Sequence, residues 1–336
     1  MNDNIYGISV IICAYTEERW LEVLAAVASI QQQSLPAREI ILVIDHNPSM
    51  YERIRTQVSG VIVIENHRPK GASGARNSGL TLAQGELIAF LDDDAIAEPD
   101  WLERLSKGCR NPRVLGTGGV VEPLWVGKIP AWFPPEFYWV VGCSYQEPFQ
   151  VITEVRNPYG GCTCIWRQVF DVVGGFTEGI GRVGKHPLGG EETELCIRAA
   201  QHWPEKVFLC DPQARIRHHI STERATWRYF IARCYFEGQS KAQISKLRGT
   251  KAGLASERFY VFHTLPRGVA RGLADGIFKL DPAGFLRAEV IIGGLITTTV
   301  GYLIGRIRWP QPRITHKEPQ ISINQKLKES LQSKIN

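Results

Sequence analysis

The sequence predicts an α/β protein with a mostly parallel central sheet flanked by helices. Short runs rich in β-branched residues alternate with helical segments of roughly 10–16 residues, the pattern of βαβ units. Apolar residues make up 44% of the 336-residue chain and charged residues 22%. That composition is ordinary for a folded soluble chain, and it excludes a disordered protein, a collagen-like fibre and a polytopic membrane protein.

The first half of the chain carries the clearest alternation. Ile8–Ala14 is a continuous apolar run, as expected for a parallel strand covered on both faces. A helix is expected from about Glu17 to Gln32. The remaining elements predicted in this half are the strands Glu39–Asp45, Val61–Glu65 and Glu86–Leu91 and the helix Gly71–Gln84.

From Gly116 onward the periodicity changes. The stretch Glu122–Phe149 is rich in proline, carries three tryptophans and follows no period, which predicts a long surface excursion. Regular elements then return. They are the strands Gly160–Trp166, Val207–Cys210 and Ala214–Ile220 and the helices Arg167–Val173, Gly189–Trp203 and Thr222–Leu247.

The C-terminal part contains an apolar stretch. Ala288–Gly305 has 18 residues and a single charge, Glu289, and Arg306, Arg308 and Trp309 follow it. About 18 apolar residues is the lower limit for crossing the hydrocarbon core of a bilayer, and Trp and Arg at the end are typical of an interfacial anchor. The sequence therefore predicts a membrane-associating helix, with a buried helix packed on the main domain as the alternative.

Charge is distributed unevenly along the chain. Residues 1–212 hold 18 Lys/Arg against 26 Asp/Glu, whereas residues 213–336 hold 21 against 8. A basic C-terminal third favours an anionic membrane surface, with a merely solvated basic tail as the alternative. Nucleic acid is not expected, because no nucleic-acid-binding signature accompanies the basic residues. We expect a main domain over 1–250, a helical membrane-associating region over 251–310, and a polar, flexible tail over 311–336.

Eight cysteines are scattered along the chain, and no secretory signal precedes them. They are expected to be reduced core thiols in a cytosolic compartment. Cys162 and Cys164 form the single close pair, and without a second pair at zinc-ligand spacing we expect no zinc site there.

Three adjacent carboxylates, Asp92, Asp93 and Asp94, follow the fourth predicted strand. Such carboxylates repel one another unless a cation offsets them, and as hard oxygen ligands they suit Mg2+ or Mn2+. They stand at the carboxyl end of a parallel strand, where open α/β sheets bind ligands. If the run is extended, Asp92 and Asp94 share one face and can bind one ion. The alternative is an acidic turn before the next helix.

Two glutamates open the helix that follows Gly189 and Gly190. The helix dipole alone favours carboxylates in a first turn. The functional alternative is that Glu191 or Glu192 is a general base at the edge of a cleft, where it removes a proton from a substrate hydroxyl.

A histidine lies on the buried side of a later predicted strand. His218 shares a strand face with Ala214, Ile216 and Ile220. A neutral imidazole binds Mn2+, so we expect His218 as the third metal ligand, with a buried core histidine as the alternative. The glycine-rich run Lys70–Asn77 begins a helix, as in many phosphate sites, but it lacks the ending of a P-loop.

Four ordered blocks between about residues 7 and 245 resemble family 2 glycosyltransferases, the inverting GT-A type. They read SVIICAYTEERW, VIDHNPS, GASGARNSGLTLAQGELIAFLDDDAIAEPDWL and GGEETELCIRA. The nearest resemblance is to bacterial enzymes of cell-surface polysaccharide or lipid-linked glycan assembly. It implies a GT-A fold and the metal-dependent transfer of a sugar, with inversion, from a nucleotide-diphosphate sugar to a glycan or lipid-linked acceptor.

The resemblance also implies roles for individual residues. Tyr15 stacks on the nucleotide base, Asp45 bonds its edge, and Arg76 helps to hold the donor. The implied donor-binding set is Tyr15, Glu17, Asp45, Arg76 and Asp93, the implied ligands of Mn2+ or Mg2+ are Asp92, Asp94 and His218, and the implied base is Glu192 or Glu191. The family usually carries Asp where Glu192 stands and Asn where Thr16 stands.

Two other function classes are compatible with such a sheet. A sugar-nucleotide pyrophosphorylase carries a glycine-rich, basic loop directly after the first strand, where this chain has CAYTEERW. An inactive nucleotide-sugar-binding scaffold has no need of the intact acidic triplet. We therefore expect a glycosyltransferase at the cytoplasmic face of the cell membrane, and the resemblance to family 2 glycosyltransferases implies a UDP-sugar as the favoured donor.

Overall fold

The computed structural model describes residues 6–145, 151–182 and 188–308. Within these ranges, nine strands form one sheet. The strands are β1 Ile8–Ala14, β2 Glu39–Ile44, β3 Ile62–Glu65, β4 Leu87–Asp92, β5 Ala95–Ala97, β6 Val114–Trp125, β7 Thr153–Val155, β8 Cys162–Trp166 and β9 Val207–Ile220. The α-helices are α1 Trp20–Gln31, α2 Pro48–Gln57, α3 Ala72–Leu82, α4 Trp101–Cys109, α5 Arg167–Val173, α6 Glu191–His202, α7 Trp227–Arg248, α8 Thr250–Gly253, α9 Ala255–Phe259, α10 Leu265–Phe278 and α11 Pro282–Arg308.

The sheet has the strand order β3-β2-β1-β4-β8-β6-β9-β5, and β7 pairs with β9. Strands β3, β2, β1 and β4 are parallel, as the βαβ pattern predicted. Successive side chains of β1 enter separate apolar clusters: Val10 and Ile12 lie in one, and Ile11 lies in the other. Burial on both faces explains why this strand has no polar alternation. Beyond β4 the sheet is mixed, because β8 is antiparallel to both β4 and β6.

The parallel register brings several strand ends to one edge of the sheet. Ala14 pairs with Ile44, and Cys13 pairs with Asp92. The residues that follow β1, β2 and β4 therefore emerge together, which places Tyr15, Asp45 and the acidic triplet on the same side of the molecule.

The predicted surface excursion over Glu122–Phe149 is confirmed for residues 126–131, which are irregular and mostly exposed, and it is wrong for the segments on either side of them. Residues 146–149 lie outside the described ranges. Strand β6 continues to Trp125, and Pro135–Val141 forms a 3₁₀ helix. Phe137 is buried in that helix and lies 5.2 Å from the ring of Phe230. In helices and strands, buried residues recur at regular intervals along the sequence, but in irregular backbone they do not. The burial of aromatic side chains in this segment therefore could not be recognised from the sequence.

The two strands predicted over 207–220 form one strand, β9. Its pairing with β6 shifts register between Gly118 and Val120, opposite residues 211–214 of β9, where the two predicted strands were separated. The helix predicted from Thr222 begins later, at Trp227, because the Thr226 side chain accepts a hydrogen bond from Tyr229 N. All eight cysteines are free thiols, and all but Cys13 are buried, as predicted.

Helix α11 is packed closely along α7. A Cβ added at Gly238 would lie 2.0 Å from the Thr298 carbonyl oxygen, and one added at Gly301 would lie 2.1 Å from that of Tyr235. The two backbones are therefore in direct contact, which side chains at these positions would prevent. The opposite side of α11 exposes an apolar stripe, which consists of Ile292, Ile296, Val300, Leu303 and Ile307.

Candidate active site

A cavity of about 1240 Å³ opens at the edge of the sheet where β1, β2 and β4 end. Nine of the ten residues predicted for the site line it: Tyr15, Asp45, Arg76, Asp92, Asp93, Asp94, Glu191, Glu192 and His218. The tenth, Glu17, is not brought into the cavity. Its carboxylate lies 3.4 Å from Arg53, because the 3₁₀ turn Glu17–Arg19 directs Arg19 rather than Glu17 toward the aspartates.

Asp92, Asp94 and His218 form a cluster of potential metal ligands. One donor atom from each of the three lies within 4.8 Å of the others. The condition that the triplet is extended is not met, because Asp93 and Asp94 form a turn between β4 and β5. The cluster forms nonetheless, because β5 pairs Ala95 with His218 and so carries Asp94 against β9.

Cations surround the Asp94 carboxylate. His218 Nε2 lies 3.0 Å from its Oδ1, and Arg224 Nη2 lies 3.2 Å from its Oδ2. Arg19 Nη1 is 2.9 Å from Asp94 Oδ2 and 2.8 Å from Asp93 Oδ1. Burial alone would raise the pKa of Asp94, but His218, Arg224 and Arg19 outweigh it and lower that pKa, so the carboxylate is ionised.

The pKa values of the two groups beside Asp94, which are Asp93 and His218, are raised rather than lowered. Burial raises the pKa of Asp93 to about 7, with Arg19 opposing and the neighbouring aspartates adding to the increase. Burial disfavours the charged form of His218, but Asp94 outweighs it and raises the pKa of His218 to about 10. Asp93 Oδ2 is buried without a hydrogen-bond partner. Two carboxylates, this unpartnered oxygen and the imidazole of His218, which has to lose its proton to act as a ligand, are donors that fit a divalent cation such as Mn2+ or Mg2+.

Asp45 anchors the glycine-rich loop beside the cluster. Its Oδ2 accepts a hydrogen bond of 2.9 Å from Gly71 N, and its Oδ1 accepts one of 2.6 Å from Asn66 Nδ2. Gly71 has φ of 128°, a conformation that side chains disfavour, and it directly precedes α3. Tyr15 is 43% exposed at the rim of the cavity, so one side of its ring is open to a planar ligand.

The two glutamates at the start of α6 have different surroundings. Glu191 is buried, and its Oε1 accepts a hydrogen bond of 2.8 Å from Arg76 Nη1. Arg76 Nη2 also lies 3.5 Å from Asp92 Oδ1, so this arginine connects α6 to the metal-ligand cluster. Glu192 is partly exposed toward the cavity. Burial and the neighbouring Glu191 raise the pKa of Glu192 to about 8, against the opposing effect of Arg76.

Sequence reasoning missed the arginines that surround the acidic triplet. Arg19 lies in a 3₁₀ turn, and Arg224 lies in the turn after β9. Neither belongs to a recognisable motif. Their contact with Asp94 depends on how two loops meet across the sheet edge, and no local signal in the sequence encodes that meeting.

Comparison with known sequences identifies relatives. The model of glycosyl transferase family 2 matches residues 9–174. A glucosyl-dolichyl phosphate glucuronosyltransferase of Haloferax volcanii is 34% identical over 244 residues, which is 71% of this chain and 78% of that protein. The succinoglycan biosynthesis protein ExoM of Rhizobium meliloti is 24% identical over 253 residues, or 73% of this chain and 77% of that protein.

Solved structures share the fold. A mannosyltransferase of Pyrobaculum calidifontis in complex with GDP-Man and Mn2+ matches with a TM-score of 0.56 and 18% identity, covering 91% of this chain and 87% of that one. GalNAc-T7 with UDP, GalNAc and Mn2+ matches with a TM-score of 0.51 and 18% identity, covering 80% of this chain and 58% of that one.

The fold is of the GT-A type. Within that class, the chain belongs to glycosyl transferase family 2. The resemblance inferred from the four sequence blocks is thereby confirmed, and so is the prediction of an enzyme that transfers glycosyl groups.

Proposed function

We propose that this enzyme transfers a sugar, with inversion, from a nucleoside-diphosphate sugar to a lipid-linked acceptor at the cytoplasmic face of the membrane. The observation that carries the proposal is that one cavity contains both the Asp92–Asp94–His218 cluster and Glu192. The relative from H. volcanii is named for a dolichyl-phosphate-linked acceptor, and ExoM is named for polysaccharide biosynthesis, which supports glycoconjugate assembly.

Asp92, Asp94 and His218 are the proposed ligands of Mn2+ or Mg2+. Both solved structures similar in fold contain Mn2+, which supports this assignment. When bound, the cation neutralises the donor diphosphate and stabilises the charge on the leaving group. Arg19 and Arg224 keep Asp94 ionised and fixed, while Arg76 adds positive charge beside Asp92.

The donor nucleotide is proposed to bind between Tyr15 and the loop that Asp45 anchors. The exposed ring of Tyr15 offers a stacking surface for a base. The loop at Gly71 leads directly into α3, and the backbone N–H groups at the start of a helix favour phosphate oxygens. We propose a UDP-sugar as the donor. The similar structures were solved with GDP-Man and with UDP, so the fold accommodates both purine and pyrimidine nucleotides.

Glu192, rather than Glu191, is the proposed general base. Glu191 is held by Arg76, whereas Glu192 faces the cavity, and a Cβ at Gly160 would lie 3.4 Å from its Oε2. The absence of a side chain at Gly160 leaves room for an acceptor next to that oxygen. A base with a pKa of about 8 retains enough affinity for a proton to remove one from an attacking hydroxyl near neutral pH.

Mn2+-dependent donor binding tests the proposal. A nucleotide sugar at about 100 times its Kd stabilises the folded protein by about 2.7 kcal/mol, so the correct donor with Mn2+ is expected to raise Tm by several degrees. The same donor with EDTA is the control and is expected to have little effect. Pyrophosphate-dependent exchange would instead indicate a pyrophosphorylase. Donor binding with no hydrolysis or transfer would indicate an inactive scaffold.

Helix α11 is the proposed membrane contact. Of the described helices, it is the one long and apolar enough to cross a bilayer, but α7 covers one of its faces. Because α7 carries charged residues that line the cavity, we propose that α11 lies along the membrane surface with its apolar stripe in the lipid. Exposed apolar residues near the end of α10, among them Ile277, Phe278 and Leu280, extend the same surface.

Polar substitution of the stripe is expected to release the enzyme from membranes. The triple variant Ile292→Gln, Ile296→Gln, Leu303→Gln removes exposed apolar area without touching the contact with α7. We expect it to move from the membrane fraction to the soluble fraction in flotation, with an unchanged Tm. Leu21→Gln, at a residue 76% exposed on α1, is the matched control and is expected to float as wild type. Equal flotation of the triple variant would rule out this surface as the anchor.

A further inference from the structure

The cavity extends from the sheet edge to α11, and the donor site does not account for its far end. That end is lined by three cationic side chains, Arg156, Arg233 and Lys241, and by Thr298 and Tyr302 of α11. The side chains of the three cations are 17–22% exposed, so they are largely buried. None of them belongs to the four sequence blocks that identify the family.

Two glutamates connect these cations in a chain of ion pairs. Arg233 Nη1 lies 2.8 Å from Glu237 Oε2, and Lys241 Nζ lies 3.1 Å from Glu237 Oε1. Lys241 Nζ is also 2.5 Å from Glu257 Oε1, whose other oxygen is 3.0 Å from Arg156 Nη1. The chain therefore joins α7, α9 and the segment that follows β7.

The opposite charges of their partners keep Glu237 and Lys241 ionised. Burial opposes ionisation of Glu237, but Lys241 and Arg233 outweigh it and lower its pKa to about 2. Burial likewise opposes the charge on Lys241, while Glu257 and Glu237 raise its pKa. Three cations against two carboxylates leave a net charge of +1 inside a partly desolvated cavity. A network that served only to join the helices would be more stable if it were neutral.

The cluster lies between the proposed base and the membrane-facing helix. Arg233 Nη2 would be 3.2 Å from a Cβ at Gly189, two residues before α6, and Ser240 Oγ accepts a hydrogen bond of 3.1 Å from Gly189 N. The charge of Glu237 also contributes to the raised pKa of Glu192. On the other side, Tyr302 and Thr298 belong to the helix whose opposite face carries the apolar stripe.

We propose that Arg156, Arg233 and Lys241 bind the phosphate of a lipid-linked acceptor. This inference rests on the proposed function and adds the residues that select the acceptor. The phosphate of such an acceptor is an anion, as the excess positive charge of the cluster requires. Two guanidinium groups and one ammonium group supply hydrogen-bond donors suited to phosphate oxygens. With the phosphate there, the reacting end of the acceptor points to Glu192 and the alkyl chain follows α11.

Farnesyl phosphate binding to the full-length protein in EDTA tests the inference, because EDTA prevents phosphate from binding through a metal. The ring of Trp139 lies 5.8 Å from Arg233 Cζ, so tryptophan fluorescence reports on the site. We expect farnesyl phosphate to bind at least tenfold more tightly than farnesol. Arg233→Gln and Lys241→Gln are expected to remove that preference, and Lys241→Arg is expected to keep it.

Arg248→Gln is the matched control. It lies on the same helix, its side chain is 23% exposed, and it pairs with Glu194 without lining the cavity. It is expected to bind farnesyl phosphate as wild type does. Equal affinity for the phosphate and the alcohol, or unchanged binding by both glutamine variants, would overturn the inference. Competition by inorganic phosphate at equal concentration would identify a soluble phosphate, rather than a lipid, as the ligand.

Donor hydrolysis separates this inference from the proposed function. Mn2+-dependent hydrolysis of a nucleotide sugar by water needs no acceptor, so it is measured on the wild-type protein and on Arg248→Gln, and both are expected to show it. Hydrolysis without phosphate preference would refute only the acceptor site. Phosphate preference without hydrolysis of any donor would refute the proposed transferase reaction and leave the anion site standing.

Discussion

Asp94→Asn is expected to lower the turnover of sugar transfer about 10³-fold, which corresponds to about 4 kcal/mol of transition-state stabilisation. The substitution removes one of the proposed metal ligands. It also leaves the guanidinium groups of Arg19 and Arg224 beside a neutral amide, and this uncompensated positive charge repels a divalent cation. Initial rates at saturating donor and Mn2+ measure the effect.

Folding has to be separated from metal binding in that experiment, because Asp94 is buried among its partners. Asp92→Asn provides the separation: the Asp92 side chain is 45% exposed and has one cation nearby, Arg76 at 3.5 Å. We expect Asp92→Asn to keep the wild-type Tm, to lose activity at low Mn2+ and to recover part of it at high Mn2+. Asp100→Asn, at a surface aspartate paired with Arg104, is the control and is expected to be fully active. Near-wild-type turnover by both Asp94→Asn and Asp92→Asn at every Mn2+ concentration would show that these aspartates do not bind a catalytic metal.

The donor half of the site could be predicted because its residues follow strands whose pattern is local. The apolar runs of β1, β2 and β4 are continuous, and parallel strands bring their carboxyl ends to one edge. Asp45 and Asp92 therefore had to emerge on the same side, whatever the loops did. The position of His218 followed from strand alternation, which the burial of Ile216 and Ile220 beside it matches.

The positions of the cations could not be predicted in the same way. Arg233, Glu237 and Lys241 are spaced four residues apart on α7, the pattern of solvent-exposed ion pairs on a helix. They are largely buried because α9 and α11 pack around them, and this tertiary packing cannot be predicted from the spacing of the residues along the helix. The position of Glu17 could not be predicted for a similar reason. The 3₁₀ turn directs Arg19, two residues further on, into the cavity in its place.

Glu192→Gln is expected to lower turnover by about 10²–10⁴-fold, the usual contribution of general acid–base catalysis. The amide keeps the size of the side chain and cannot accept the proton of the acceptor. Because the wild-type base has to be ionised, kcat/KM is expected to rise with pH and to level off above about pH 8. The rising part of the profile below about pH 8 is its acid limb, and we expect the residual activity of Glu192→Gln to lack it. Glu178→Gln, at a surface carboxylate paired with Arg68, is the control and is expected to keep the wild-type profile.

Glu191→Gln is expected to shift the pH profile of kcat/KM in a direction that can be measured. It removes the negative charge that raises the pKa of Glu192, and it releases Arg76 from its ion pair with Glu191. Both changes favour the ionised form of Glu192, so the acid limb of kcat/KM is expected to move to lower pH. A limb that stays in place or moves to higher pH would contradict the assignment of Glu192 as the titrating base. The same profile in Glu192→Gln as in wild type would assign the limb to another group.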